Sequence, residues 1–309
     1  MINEKIDIAI VGLGDISTAH IAGLKSGGKY NIYATCDNRP EQETVAKELN
    51  CLFFNDYKKL AKDPNVDVVL ILTPPATHYE IAKEMLNNKK HVLIEKPGVT
   101  DINHLYDLIK IAKENGVTVD VIFHWCYGSE VLYLEKHFNE YGKLLRIECN
   151  SNDPYTYDGI NIKKERVDLS GAWNDSGINI LSMLSCFVDV KQFKLENERI
   201  EYDSKHNLPI YAKKEYDYNG VDVVINVDWR YNRNHKFTNF YFENGTLFLH
   251  HTGQEIWYNA KRVETFYTEH RLNTHYTNLF NLYNLKTKDH EKTILLHKLL
   301  LQTLKRNVD

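Results

Sequence analysis

The chain has 309 residues, 43% of them hydrophobic, and a net charge of −4, with lysine and arginine scattered among aspartate and glutamate. That length allows two domains with substantial cores, and the charge balance leaves no basic face for a phosphate backbone, which argues against a nucleic-acid partner. No stretch reaches the roughly 20 apolar residues of a membrane span, and the polar opening MINEKID does not read as a secretory signal, so the expectation is a cytoplasmic chain without a membrane partner.

Cys36, Cys51, Cys126, Cys149 and Cys186 are odd in number and never spaced C-x-x-C, the pattern of reduced thiols rather than of disulfides or zinc. The histidines, His250-His251 included, show no ligand spacing, and no metal is expected.

The chain opens on an apolar run, Ile6 to Val11, followed by Gly12-Leu13-Gly14-Asp15-Ile16-Ser17. A glycine turn between a buried strand and a helix start is where a dinucleotide pyrophosphate can meet backbone N–H groups. Gly12 allows the sharp turn, and Gly14 lets the phosphate approach. Ser17 stands where the usual pattern has a third glycine. Asp37 closes the next apolar run, where a carboxylate can accept from both ribose hydroxyls of NAD; Arg39, two residues on, could partly offset its charge toward NADP.

Apolar runs at 6–11, 31–36, 52–54, 67–72, 91–94 and 117–123 alternate with amphipathic stretches such as Ile81, Ala82, Met85, Leu86 and Ile102, Leu105, Leu108, Ile109, Ala112. Residues 1–123 therefore read as a doubly wound parallel (Rossmann) domain in an α/β protein. From 124 to 309 long alternating stretches take over, KLLRIECNS, RIEYDS, VDVVINVDWRY, KFTNFYFENG and TLFLHH, with helices expected near 128–140, 175–187, 274–284 and 290–305. This half reads as an α+β domain with a largely antiparallel open sheet, for substrate binding and oligomerisation. Exposed faces of such sheets pair chains, so a homodimer or homotetramer is expected. In the last helix Ile294, Leu295, Leu299, Leu301 and Leu304 are expected on one side.

Two turns then stand out. Thr73-Pro74-Pro75-Ala76-Thr77-His78 ends one strand, and Glu95-Lys96-Pro97 ends the next. With the glycine turn, the strand-rich second half and Asp175-Ser176-Gly177-Ile178-Asn179, they make the chain resemble the Gfo/Idh/MocA family of NAD(P)-dependent oxidoreductases over nearly its whole length. The resemblance implies hydride transfer between C4 of a nicotinamide and a carbon bearing a hydroxyl, a cis bond before Pro97, and cofactor contacts from Gly12, Gly14, Asp15, Ile16, Asp37, Arg39, Thr73, Pro74, His78, Glu95 and Lys96. A lysine at a strand end suits proton transfer, because desolvation brings its pKa toward working pH. Lys96 is accordingly one candidate catalytic residue and Asp175 the other; Asp175 could instead cap a helix. Most relatives carry histidine where this chain has Asn179, which can orient a hydroxyl but cannot exchange a proton near neutrality. In this element the chain is similar to the galactose and arabinose 1-dehydrogenase branch.

Trp125 and Tyr127 follow the last strand of the first domain, where relatives place an arginine that this chain lacks, which favours a neutral sugar or polyol. Asn152, Asp153, Tyr155 and Tyr157 are expected in a loop that either grips that sugar or is simply solvated, and of these Asn152 and Tyr157 are candidate substrate contacts. The rival reading is a catalytically idle, cofactor-sensing regulator of the same fold.

Overall fold

The computed structural model describes residues 5–283 and 290–304. In chain order its strands and α-helices are β1 (Ile6–Val11), α1 (Ser17–Gly27), β2 (Tyr30–Cys36), α2 (Glu43–Leu49), β3 (Leu52–Phe54), α3 (Tyr57–Ala61), β4 (Val68–Ile71), α4 (Pro75–Asn87), β5 (His91–Glu95), α5 (Ile102–Asn115), β6 (Val119–Ile122), α6 (Ser129–His137), β7 (Leu144–Pro154), α7 (Ile178–Leu184), β8 (Lys194–Tyr202), β9 (Pro209–Tyr218), β10 (Val221–Asp228), β11 (Arg230–Phe242), β12 (Gly245–His250), β13 (Glu255–Tyr258), β14 (Lys261–Thr265), α8 (Arg271–Leu282) and α9 (His290–Leu301). The chain divides into two compact units: Met1–Ile122 with Leu272–His297, and Phe123–Arg271 with Lys298–Asp309.

In the first unit β3-β2-β1-β4-β5-β6 form one parallel sheet. Its inner strands are buried, as their continuous β-branched runs require. The α4 face Ile81, Ala82, Met85, Leu86 and the α5 face Leu105, Leu108, Ala112 pack into a shared core. The order reverses between β1 and β4, the switch point at which sheets of this kind take a ligand beyond the carboxyl ends of their strands.

Residues 272–297, expected in the second domain, belong instead with the first unit. A Cβ on Gly23 of α1 would lie 2.7 Å from the Tyr276 backbone, so α1 and α8 meet with no side chain between them. Tyr276, Leu279 and Phe280 are buried there, Phe280 edge-on to Tyr30. The buried side of α9 is Thr293, Leu296, His297, Leu299 and Leu300, whereas Leu301 and Leu304, expected on the same side as Leu299, are exposed. A leucine-rich helix offers two candidate stripes, and contacts with other elements choose between them. The final residues of the two expected C-terminal helices, 284 and 305, lie outside the described residues.

The second unit carries the sheet β14-β13-β12-β11-β7-β10-β9-β8. It is antiparallel except for β7 and β10, which pair in parallel. Alternation marks which face of a strand is buried, not the direction of its neighbour, so this pairing lay beyond sequence reading. Strand β9 was missed because Lys213, Lys214 and Glu215 interrupt its apolar rhythm. Lys214 nonetheless points inward, 3.3 Å from Glu198 and 4.7 Å from the ring centre of Trp173. The buried helix α7 belongs to this unit, and the Trp173 indole donates to the Leu300 carbonyl at 2.8 Å.

Candidate functional site

In the first unit the expected cofactor residues gather along the carboxyl edge of the parallel sheet. Gly12 follows β1 at φ +97°, and a Cβ there would strike the Leu72 and Thr73 backbone at 2.9 Å. Above Gly14 nothing lies within 4 Å of a would-be Cβ, and no side chain caps the start of α1. An open glycine before an uncapped helix N-terminus is the cradle a pyrophosphate needs. Ser17 is buried and its hydroxyl donates to the Gly14 carbonyl at 2.7 Å, closing the turn where a third glycine was expected. Asp15 is exposed and Ile16 half-buried beside it.

Asp37 is buried at the end of β2. It accepts from Leu13 N–H at 2.8 Å, from Arg39 N–H at 3.0 Å, and from the Arg39 guanidinium at 2.9 and 3.0 Å. Burial pushes its pKa up, but the hydrogen bonds from Arg39 and Leu13 outweigh burial and hold it below the usual carboxylate value. The carboxylate thus ties the glycine turn to β2, and Arg39, whose side chain is 48% exposed, pairs with it.

His78 is not at the surface of this edge. It is fully buried, its ring between the Thr73 carbonyl at 2.6 Å and the Pro97 carbonyl at 3.1 Å, and burial lowers its pKa. It joins the two turns through their main-chain carbonyls. Thr73 is half-buried and Pro74 exposed, ahead of α4.

Glu95 is buried, and its Oε2 accepts from Tyr276 Oη at 3.2 Å and lies 3.1 Å from His20 Nε2. Lys96 is half-buried and joined to Pro97 by a cis peptide bond. The Gly98 N–H donates to His297 Nε2 at 3.1 Å, and His297 Nδ1 donates to the Thr293 carbonyl at 2.8 Å. Burial lowers the His297 pKa to about 4. His20, Tyr276 and His297 had no motif to announce them; the last two reach this edge from the chain's far end.

The depressed His297 pKa has a consequence for stability. Below the ordinary histidine value of 6.5 the unfolded chain takes up a proton that the folded one refuses until about pH 4. Stability attributable to this group is therefore present above pH 6.5 and declines through that window, by about 2 kcal/mol at pH 5. Thermal melts at pH 7 and 5 should show a shallower decline for His297→Gln than for the parent chain.

In the second unit Asp175 lies within a π-helical turn, Trp173–Gly177, that leads into α7. Neither segment is capped by a side chain, which removes the capping role for Asp175. Asn179 is buried; its Nδ2 donates to the Asp175 main-chain carbonyl at 3.1 Å, and its Oδ1 has no hydrogen-bond partner among the described residues.

Several expected substrate contacts are placed differently. Asn152 and Asp153 sit in β7 rather than in a loop, buried because β10 and β11 bond that strand from both sides. Trp125 is 2% exposed, 5.0 Å from the His251 ring, with the Arg271 guanidinium 5.6 Å from its own ring, while Tyr127 stays half-buried. A large aromatic buries its area where it can. Tyr157 is 67% exposed and Tyr155 stacks under Arg166 at 4.7 Å.

Sequence reading also missed a buried ion pair, Lys236 with Asp153, diagonal on the inner face of β11 and β7. Burial lowers the Lys236 pKa; Asp153 and Asp175 oppose that effect and Arg271 adds to it. The alternation Lys236, Thr238, Phe240, Phe242 was the available signal, since it places Lys236 inward. Among the described residues no cluster could hold a metal ion, and no helix is long and apolar enough to cross a membrane.

Residues 6–123 match the model of the GFO_IDH_MocA oxidoreductase family, NAD-binding Rossmann fold. The match lies within the first unit and spans less than half of the chain. Among curated relatives, the inositol 2-dehydrogenase/D-chiro-inositol 3-dehydrogenase of Lactiplantibacillus plantarum is 30% identical over 49% of this chain and 46% of its own length. The matched stretch thus spans about half of that relative. The fold is shared more widely: KijD10, a 3-ketoreductase from Actinomadura kijaniata solved with NADP and TDP-benzene, superposes with a TM-score of 0.80 at 17% identity, covering 96% of each chain. The WlbA dehydrogenase from Bordetella pertussis, solved with NADH and UDP-GlcNAcA, gives 0.78 at 18% identity, covering 97% of this chain and 94% of that one.

Proposed function

We propose that the protein is an NAD(P)-dependent dehydrogenase acting on a CH–OH group of a neutral sugar or polyol. The observation that carries this reading is Lys96, half-buried in an otherwise buried turn at the carboxyl edge of an NAD-binding sheet. A bound nicotinamide would accept or return the hydride; Gly12, Gly14 and Asp37 are the residues that suit its dinucleotide. Lys96 holds or releases the hydroxyl proton. Asp175 is the second ionisable group assigned to the substrate, and Asn179, with its buried and unengaged Oδ1, accepts from a sugar hydroxyl. Likeness to inositol dehydrogenases supports a polyol and the Asp175–Asn179 element supports an aldose, so both belong in the test. A panel of aldoses and polyols with NAD and NADP, followed at the reduced-nicotinamide absorbance, decides it. Absence of turnover with tight cofactor binding would favour the idle regulator instead.

NAD is expected to be preferred over NADP, because the Asp37 carboxylate at the end of β2 would repel a 2′-phosphate. Arg39 is held on Asp37 and on the Leu13 carbonyl at 3.2 Å, so it softens this preference without reversing it. Asp37→Ser should raise the NAD KM by about tenfold and narrow the gap to NADP. A lower KM for NADP in the parent chain would sink the assignment.

A further inference from the structure

We propose that His297, on the C-terminal helix, is a positioning residue for Lys96; this rests on the dehydrogenase reading of Lys96 given above. The turn that carries Lys96 is held at its two following residues. On one side His78 of α4 meets the Pro97 carbonyl at 3.1 Å, and on the other His297 of α9 accepts the Gly98 N–H at 3.1 Å. His297 is fully buried, and its other nitrogen donates to Thr293, which leaves Nε2 as a pure acceptor aimed at the turn.

The turn has little freedom to find another partner. Pro97 and Gly98 are buried, and a Cβ on Gly98 would fall 2.3 Å from Val121 and 3.4 Å from His297 Nε2. The helix bearing His297 is itself anchored on β6, through His290 to the Val119 carbonyl at 3.1 Å and Thr293 to Asp120 at 3.4 Å. Removing the acceptor would strand a buried N–H two residues from Lys96. A buried unsatisfied donor drives local rearrangement, and a displacement of about 1 Å at a reacting group lowers turnover by up to about 100-fold.

The test uses the full chain with His297→Leu, which removes the acceptor, and His297→Gln, which restores one. Two readings are taken: hydrogen–deuterium exchange of peptides covering residues 96–99, and kcat and KM with the substrate found in the panel. For His297→Leu, exchange at Gly98 and Val99 should rise at least about tenfold over the parent, and kcat should fall about 10- to 100-fold with KM for NAD changed less than about threefold. His297→Gln should recover most of both. Unchanged exchange at 96–99 overturns the proposal, and so does a parent-like kcat in His297→Leu. If the parent turns over no sugar or polyol, the dehydrogenase reading fails while exchange still decides the clamp. Should His297→Leu not fold, His297→Asn, too short to reach Gly98, replaces it with the same outcomes.

Discussion

Lys96→Met is expected to lower kcat by about 10² to 10⁴ while the dissociation constant for NAD stays within a few-fold. Methionine keeps the length of the side chain and removes the group that carries the proton. The fold of the turn should survive, because His78 and His297 hold main-chain atoms of Pro97 and Gly98 and neither bond involves the ammonium. Cofactor affinity should survive for a related reason: the glycine turn and Asp37 are set by β1, β2 and the start of α1. The measurement is steady-state kinetics beside cofactor titration by fluorescence. Near-parental turnover would show that the proton leaves by another route, and Lys96 would return to the status of a turn residue.

Asp175→Asn should lower kcat by about 10² or more and alter the pH profile, with a melting temperature close to the parent's. The stability half of this expectation rests on the caps: the π turn and α7 have Ala172 and Gly177 at their N-cap positions, and asparagine keeps the shape of the replaced side chain. The activity half follows from charge. Asp175 acts on Lys236 and on Tyr155, so replacing it with a neutral isostere changes the field around the proposed substrate hydroxyl. Asn179→Ala is the control: no titrating group is lost, so KM should rise and kcat fall with the pH profile in place. Full activity in Asp175→Asn together with a moved profile in Asn179→Ala would reverse the two roles.

The residues of the first unit were legible because each answers to a local rule. A strand, a turn at positive φ, a helix start and a carboxylate one strand later are neighbours along the chain, and Gly12, Gly14 and Asp37 could be named from their spacing. The two proline turns were legible for the same reason. What surrounds them was not. His20 and Tyr276 reach Glu95, and His297 reaches Gly98, from positions up to 199 residues away, and no periodicity marks a histidine that will end up accepting a main-chain N–H.

In the second unit the alternation of β7 and β11 already assigned inward and outward faces, so Lys236 could have been placed inside from its register with Thr238 and Phe240. Its partner could not, because pairing Ser151 with Lys236 and so bringing Asp153 to the diagonal is decided by strand order. The same holds for the parallel pair β7 and β10, and for Asn152, taken for a loop residue until strands closed on both sides of it. Sequence by itself determined the local pattern: where strands end in glycine or proline turns, where a carboxylate follows the second strand, and which strand residues face inward. Only the tertiary structure decided which buried polar groups satisfy one another, because that depends on which distant elements desolvate the same atom.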